Sequence, residues 1–553
     1  MTATQDLTGL TAHEFGLFTR PQGARHRGPR RSGRARRWWL VALAAALAWS
    51  LWDAGLGRTE VINPGGWTLV GRFWQAAARP DLSATFLRTT LDATVTTVAF
   101  AVVGTALAVA VGIVGGVLTS ETWWRRSRPP AGGRTSRLRA GWFVGRGACG
   151  LPRGVHEAVW GLFLVNILGR DPLVGVLAIA IPFGAVTAKV YAELIDETAQ
   201  GPYDALRAGG AGRMAAVAYG VLPATLAQLV SYGFYRLECS IRSAVILGMI
   251  GAGGLGFQLD LSFRSLNYGE MWTLIYALVG VSALADLWGS RLRQRGTPRH
   301  ARRSLWVGLA LVVASTVRLG PDLGRLVASQ TRRLLGDVLA ASWPPSLPAD
   351  GFAGLVQRSI ETVQMSLLAI AFGGALATLT AFVAARPGGG SPGRRAAAAG
   401  ARLLLLLTRA IPPPVWALLV LFVVFPGPLP GAVALGIYNF GILGRLMAEV
   451  VENLDGRPRQ ALVSAGANGV SAFAYGTLPL SMSRFAAYGL YRWEVAVRET
   501  VVVGVVGAGG LGRLLEQQRA AFDFGGMLGT VLALVAVSVL IDLVSARARR
   551  SLR

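Results

Sequence analysis

A chain of 553 residues with 52% apolar side chains, a mean hydropathy of +0.47 and only 15% charged residues, against roughly 25% in ordinary globular proteins, could not cover itself in water. Its 55 Lys and Arg outnumber 29 Asp and Glu to give a net charge of +26. That balance alone suggests nucleic acid, but the arginines cluster between long apolar runs and not along one face, which argues for a lipid bilayer as the partner and against nucleic acid.

Crossing about 30 Å of hydrocarbon takes about 20 apolar residues in a helix, because every backbone polar group must be satisfied internally. In the first half the clear runs are 38–56, with Asp53 near its end, 93–118, 173–194 and 271–288. Two more are less clean: 142–168 is interrupted by Arg146, Arg153 and Glu157, and 222–255 carries three charged residues near its middle. The second half gives 305–317, which is short, then 365–384, 403–425, 432–451, 478–511 and 527–544. The expectation is an all-α, polytopic membrane protein of about twelve spans, six per half.

Arginine clusters at 20–37, 125–139 and 291–303, and the tail Arg547, Arg549, Arg550 and Arg553, mark the cytoplasmic face, so both termini are expected inside. Residues 57–91 and 319–360 then lie outside although each carries four arginines, an imperfect fit to the rule. The basic start followed by 38–56 also suits a cleaved signal peptide. A retained anchor is preferred because a comparable run opens the second half at Leu305.

Laid on itself at a shift of 256 residues, the chain repeats. Trp160 falls on Trp416, Pro172 on Pro428, Gly210 on Gly466 and Leu222-Pro223 on Leu478-Pro479. Tyr235-Arg236, Glu238 and Arg242 fall on Tyr491-Arg492, Glu494 and Arg498, and the six residues from Gly251 to Gly256 fall on Gly507 to Gly512. A weaker upstream match, Leu91-Asp92 with Ile360-Glu361 and Gly104 with Gly373, takes a shift of 269. Two parallel copies of a six-helix unit are expected, with a pathway between them.

Residues 202–223, PYDALRAGGAGRMAAVAYGVLP, and 458–479, PRQALVSAGANGVSAFAYGTLP, each combine small residues, a glycine bend and a Leu-Pro that restarts a membrane helix. This spacing resembles the Glu-Ala-Ala loop of permease subunits of ATP-binding-cassette importers, whose short coupling helix seats in a groove of the ATPase. Asp204, Ala205, Leu206 and Gly210, and Gln460, Ala461, Leu462 and Gly466, occupy the motif, and neither copy has the family's glutamate. The stretches YRLECSIRSAVILGMIGAGGLGFQL, 235–259, and YRWEVAVRETVVVGVVGAGGLGRLL, 491–515, are similar to the phosphonate transport permeases in particular. So is the run Ala410 to Trp416, from which the first copy departs at Leu151-Pro152-Arg153, with His156-Glu157 in the places of Pro412-Pro413.

The resemblance implies import of phosphonates or related phosphorus oxyanions through the cell membrane, with a binding protein outside and a separate ATPase inside, in two copies. The expected divisions are a basic tail 1–37, a first permease unit 38–290, a basic linker 291–303, a second unit 304–546 and a basic tail 547–553.

Read from Gly251 or Gly507, the glycine run also spells G-x-G-x-x-G, but that motif has dinucleotide meaning only between a strand and a helix, so a break in a membrane helix is expected. Arg236, Glu238 and Arg242, repeated as Arg492, Glu494 and Arg498, are costly inside an apolar run. Glu238–Arg242 and Glu494–Arg498 are four apart and can pair on one helix face. That leaves Arg236 and Arg492 as guanidinium groups suited to a multi-oxygen anion on the substrate path.

Lys189 precedes Val190, so the chain lacks a phosphate-binding loop ending in Lys-Ser or Lys-Thr, and ATP is used by the partner with no cofactor on this chain. The two cysteines, Cys149 and Cys239, supply neither a disulfide framework nor a metal cluster. The alternatives are an importer permease for another small solute such as methionine, and a polytopic membrane enzyme acting on lipid phosphates. The enzyme would be expected to show acid and histidine clusters, of which the chain offers little beyond His156-Glu157.

Overall fold

A computed structural model describes residues 33–55, 61–124, 136–169, 171–294, 298–386 and 391–552. The expectations for the basic stretches 1–32, 125–135 and 295–297 and for Arg553 lie outside them. The described chain is helical, and its sole strand-like pairing is an isolated bridge, Ile62 to Val424.

The helices are α1 (Gly33–Asp53), α2 (Gly66–Ala76), α3 (Ala84–Thr119), α4 (Ser136–Gly154), α5 (Glu157–Leu168), α6 (Pro172–Glu197), α7 (Gly201–Ala208), α8 (Leu222–Leu247), α9 (Gly254–Arg264), α10 (Tyr268–Gln294) and α11 (Pro298–Leu319). They continue as α12 (Ser329–Ser342), α13 (Gly351–Ala384), α14 (Pro392–Ala410), α15 (Pro413–Val423), α16 (Pro428–Glu452), α17 (Arg457–Ser464), α18 (Gly469–Gly476), α19 (Leu478–Val503), α20 (Gly510–Ala520) and α21 (Phe524–Leu552). Their starts follow from local chemistry. Ser83 accepts from the Phe86 N–H ahead of α3, Asp171 accepts from Leu173 ahead of α6, and proline fills the first turn of α6, α8, α16 and α19, where its missing N–H costs nothing.

The repeat read from the sequence is a repeat of structure. From α5 onward, corresponding helices begin 256 residues apart, and even the strained non-glycine turns coincide, Leu266 at φ 55° and Phe522 at φ 56°. Trp160 donates its indole N–H to the Pro152 carbonyl, as Trp416 does to Thr408, so the third helical segment closes alike in both copies despite the sequence departure at residues 151–157. His156 explains itself there. Its Nδ1 accepts the Ala158 N–H at 3.2 Å and caps α5, where the second copy has Pro412.

Three expectations change. The Leu255 N–H is accepted by Thr97 and the Leu511 N–H by Thr362, while Phe100 meets Gly175 as Met365 meets Gly431. Both pairs place α3 on α13 at a shift of 265, so the sequence pairing of Asp92 with Glu361 and of Gly104 with Gly373 is four residues out. A slip of one turn keeps the same face inward, and apolar periodicity cannot detect it.

Among the described residues, seven helices are long and apolar enough to cross a membrane, and nine if two bent pairs each count as one span. The bent pairs are α14 with α15, at 91°, and α19 with α20, at 60°. Of the twelve expected spans, 38–56 and 305–317 fall short because Arg37 and Asp53 bound the first apolar run and Arg303 and Arg318 the second, and 142–168 breaks into α4 and α5.

The contacts form two compact units, Arg79–Val338 and the described residues of Arg20–Ala78 with Leu339–Arg553. The grouping therefore departs from the divisions 38–290 and 304–546. In the second unit α1 packs on α13 and α21, and Gln364 donates to Asp53 at 2.8 Å. In the first unit α11 packs on α3, where Arg318 is paired with Asp92. Each repeat's leading helix has joined the other repeat, where its polar end finds a partner, the Gln364 amide for Asp53 and the Asp92 carboxylate for Arg318.

Candidate translocation and coupling site

The two motif loops fold into short, exposed helices, α7 and α17. Both close with the same C-terminal turn. The Gly210 and Ala211 N–H groups return to the carbonyls of Arg207 and Leu206 at 3.2 and 3.0 Å, and those of Gly466 and Ala467 return to Val463 and Leu462 at 3.0 and 2.9 Å. This turn needs a left-handed residue, and Gly210 and Gly466 supply it at φ 88° and 86°. Asp204, Ala205 and Leu206, and Gln460 and Ala461, are exposed, while Leu462 is half-buried. The apolar side chains Met214 and Tyr219, and their counterparts Val470 and Tyr475, stand exposed on the turns that follow. Ahead of α17, hydrogen bonds from the Arg457 side chain and then its backbone N–H hold the Asp455 carboxyl below the usual carboxylate range.

From each loop a 26-residue helix, α8 or α19, runs back to the glycine break. The break is the same in both repeats. Gly251, Gly253 and Gly254 have φ of 112°, 98° and 73°, and Gly507, Gly509 and Gly510 have 106°, 94° and 69°. The next helix then turns back so closely that a Cβ at Gly256 would lie 1.8 Å from the Val245 carbonyl oxygen, and one at Gly512 2.5 Å from that of Val501. The glycine run thus breaks a helix, as expected, and follows no strand.

Arg236 and Arg492, each 8% exposed, sit at equivalent points of α8 and α19. Arg236 turns toward the start of its helix. Its Nε donates to the Tyr232 hydroxyl at 2.8 Å, and the guanidinium lies 5.1 Å from the Phe183 ring centre, 5.0 Å from that of Tyr232 and 5.7 Å from that of Tyr235. Arg492 turns the other way. Its Nε donates to Asn439 Oδ1 at 2.7 Å, and its Nη2 reaches both carboxylate oxygens of Glu499 at 2.9 and 3.0 Å. The expectation that Arg492 is left over after i, i+4 pairing is therefore corrected, because Glu499, two turns ahead on the same face, neutralises it.

Arg242 lies 3.9 Å from Glu238 in the expected i, i+4 relation, and Arg242 also contacts the Cys239 sulfur at 3.6 Å. In the second repeat Glu494 is paired with Arg549 of α21. Arg498 is half-buried.

The sequence reading missed Glu499, Asn439 and Phe183. It also missed the first repeat's substitute for Glu499. Ser243 stands at that position and donates to the buried Glu157 at 2.6 Å. Only the 256-residue alignment could have flagged these positions, as places where the repeats differ in charge, Ser243 against Glu499, or in polarity, Phe183 against Asn439.

Residues 149–299 and 377–553 match the family described as the inner membrane component of binding-protein-dependent transport systems, so each match contains one short exposed helix, one charged helix and one glycine break. The chain is 28% identical over 416 residues to the phosphate-import permease protein PhnE of Mycolicibacterium smegmatis, covering 72% of this chain and 76% of that protein. It is 30% identical over 267 residues to the phosphite transport system permease protein PtxC of Stutzerimonas stutzeri, covering 46% of this chain and 90% of that one. No solved structure matches the chain. With both repeats matched, the chain belongs to the family of inner membrane components of binding-protein-dependent transport systems and carries two permease units in tandem.

Proposed function

We propose that this chain is the permease of an ATP-binding-cassette importer for phosphonates or related phosphorus oxyanions. The observation that carries the reading is the recurrence, at one register in both repeats, of an exposed capped helix feeding a helix with a buried arginine. The exposed helices α7 and α17, through Asp204, Ala205, Leu206 and Gly210 and through Gln460, Ala461, Leu462 and Gly466, seat against two copies of a separate ATPase. ATP is consumed there, since Lys189 is followed by Val190 and no phosphate-binding loop ends on it. The chain itself performs no chemistry and holds no cofactor. A binding protein delivers the anion on the outer face of the cell membrane, and both termini lie in the cytoplasm.

Arg236 and Arg492 line the path of the oxyanion, Arg492 with its charge balanced by Glu499, and Glu238, Arg242, Glu494 and Arg498 set the surrounding charge. The names of the two relatives, phosphate-import and phosphite transport permeases, support a phosphorus oxyanion as cargo.

The test is uptake of labelled methylphosphonate by cells expressing the chain with its ATPase and binding protein. Arg236→Gln with Arg492→Gln is expected to abolish uptake while the protein still assembles, and so is Gly210→Asp with Gly466→Asp. No uptake by an assembled complex that hydrolyses ATP sinks the choice of substrate, and unchanged uptake in the double arginine variant sinks the role of the arginines.

A further inference from the structure

We propose that Lys189 in the first repeat and Arg445 in the second form a further anion station on the substrate path, lying on α6 and α16 between the contact of the buried arginine and the short exposed helix. The ligand is a phosphorus oxyanion, several of whose oxygens can accept from the ammonium or guanidinium group. Glu193 or Glu449 balances that cation while the station is empty. This rests on the permease reading and gives the path a second cation in each repeat.

The repeat supplies the first observation. Lys189 and Glu193 stand four apart on α6, with Nζ 3.8 Å from the carboxylate. At a shift of 256, Arg445 and Glu449 stand four apart on α16, where Nε donates to the carboxylate at 3.0 Å. The repeats differ close by, with Phe183 against Asn439, yet they share a cation and a carboxylate at this register although lysine faces arginine. Stability does not account for the first pair. Its side chains are 52% and 38% exposed, and an ion pair so open to screening contributes little. The next acid on each helix shows what a structural carboxylate does here. Asp196 accepts from the Glu121 and Thr122 N–H groups at 2.9 Å, and Glu452 from that of Arg386 at 2.6 Å, so each fixes the chain just after α3 or α13. Glu193 instead meets Lys189.

The second observation is where the pair lies. From Leu173 to Ile195, α6 is buried or half-buried at every position except Lys189. The exposure of α3 is of another kind, a broad apolar face of Leu107, Val111, Val114 and Leu118 that suits lipid. A single opening that carries charge in an otherwise packed span suits water and ions, because a charge against hydrocarbon is costly. The third observation is the link to the buried arginines. The Arg236 guanidinium lies 5.1 Å from the Phe183 ring centre, and Arg492 Nε donates to Asn439 at 2.7 Å. Lys189 follows Phe183 by six residues and Arg445 follows Asn439 by six, about 9 Å of helix at 1.5 Å per residue. Val186 and Ile442, both half-buried, stand midway. Each repeat thus offers an anion two cations at one register, the second nearer to α7 or α17.

The test uses the whole complex, this chain with its ATPase and binding protein in lipid nanodiscs. Lys189 is the single lysine of the chain, so acylation by a water-soluble amine reagent, read by mass spectrometry on the peptide that contains it, reports this side chain. The reagent is expected to modify Lys189. Methylphosphonate, phosphite or inorganic phosphate is expected to slow the modification severalfold against chloride at equal ionic strength and pH. No modification by the aqueous reagent, or equal rates with and without the oxyanions, overturns the proposal. A second arm separates an anion station from a structural ion pair. Lys189→Gln with Arg445→Gln should lower the velocity of methylphosphonate uptake severalfold, and Lys189→Arg with Arg445→Lys should restore most of it. Glu193→Gln with Glu449→Gln leaves both cations in place and should lose much less. Equal losses on removing the cations and on removing the carboxylates mark a structural pair and overturn the proposal as well. Protection of Lys189 by phosphate in a complex without methylphosphonate uptake supports the station and removes only the substrate assignment.

Discussion

Arg492 and Glu499 lie seven residues apart on α19 and meet through both carboxylate oxygens, at 2.9 and 3.0 Å. Seven residues are nearly two full turns, so the pair shares a face of the helix. Removing one partner of a buried ion pair leaves an uncompensated charge and costs about 3–5 kcal/mol. Glu499→Ala is therefore expected to lower the melting temperature of the purified protein strongly. Glu499→Gln keeps an oxygen acceptor and costs less. Ser243→Ala, at the equivalent place in the first repeat, loses a neutral donor to Glu157 and is expected to be the mildest of the three. Equal melting temperatures for all three would falsify the account of Arg492 as neutralised by Glu499.

The glycine break gives a prediction about packing alone. A methyl group at Gly256 or Gly512 would lie 1.8 or 2.5 Å from a backbone carbonyl oxygen, and backbone cannot yield as a flexible side chain does. Gly256→Ala and Gly512→Ala should each sharply reduce the amount of assembled protein in the membrane. Gly280→Ala, in α10 with nothing within 4 Å of the new methyl, is the control and should express like the parent. Membrane-fraction blots of the three variants decide it.

The ends of the short helices α7 and α17 are limited by backbone conformation and not by space. Nothing lies within 4 Å of a Cβ placed at Gly210 or Gly466, yet their φ of 88° and 86° is unfavourable for side chains. A left-handed residue other than glycine costs about 1–2 kcal/mol, with Asn the best tolerated. Gly210→Val is expected to loosen the turn after α7 and lower substrate-stimulated ATP hydrolysis, whereas Gly210→Asn should retain most of it. Equal activity of the two variants would remove the conformational argument.

Much of this was legible before the structure. The 256-residue repeat placed Asp204 with Gln460, Arg236 with Arg492 and Gly256 with Gly512, and the helices begin in that register. What the sequence hid has definite physical causes. Pairing was judged at the i, i+4 spacing, so Glu499 at i+7 from Arg492 was passed over. A partner on another helix leaves no local signal at all, which hid Asn439, Glu157 and Arg549. The match of α3 with α13 slipped by one turn because a four-residue shift preserves the apolar face.

The exchange of leading helices was equally invisible, since contiguity in sequence suggests that α1 belongs with the helices that follow it. It leads to a prediction for a cut chain. If a protease site is inserted between Gln294 and Pro298, at the junction of the sequence repeats, cleavage yields two fragments that each carry the other unit's leading helix. The N-terminal fragment contains α1, which packs on α13 and α21 and whose Asp53 accepts from Gln364 at 2.8 Å. The C-terminal fragment contains α11, whose Arg318 is paired with Asp92 of α3. Neither fragment can leave without withdrawing a helix from a packed unit and breaking the polar tie at its end. The fragments are expected to co-elute in mild detergent after complete cleavage. Asp53→Ala combined with Arg318→Ala should weaken that association, because it removes a polar tie from each exchanged helix. Separation of the unmutated fragments in mild detergent would show that α1 and α11 pack with their own repeats.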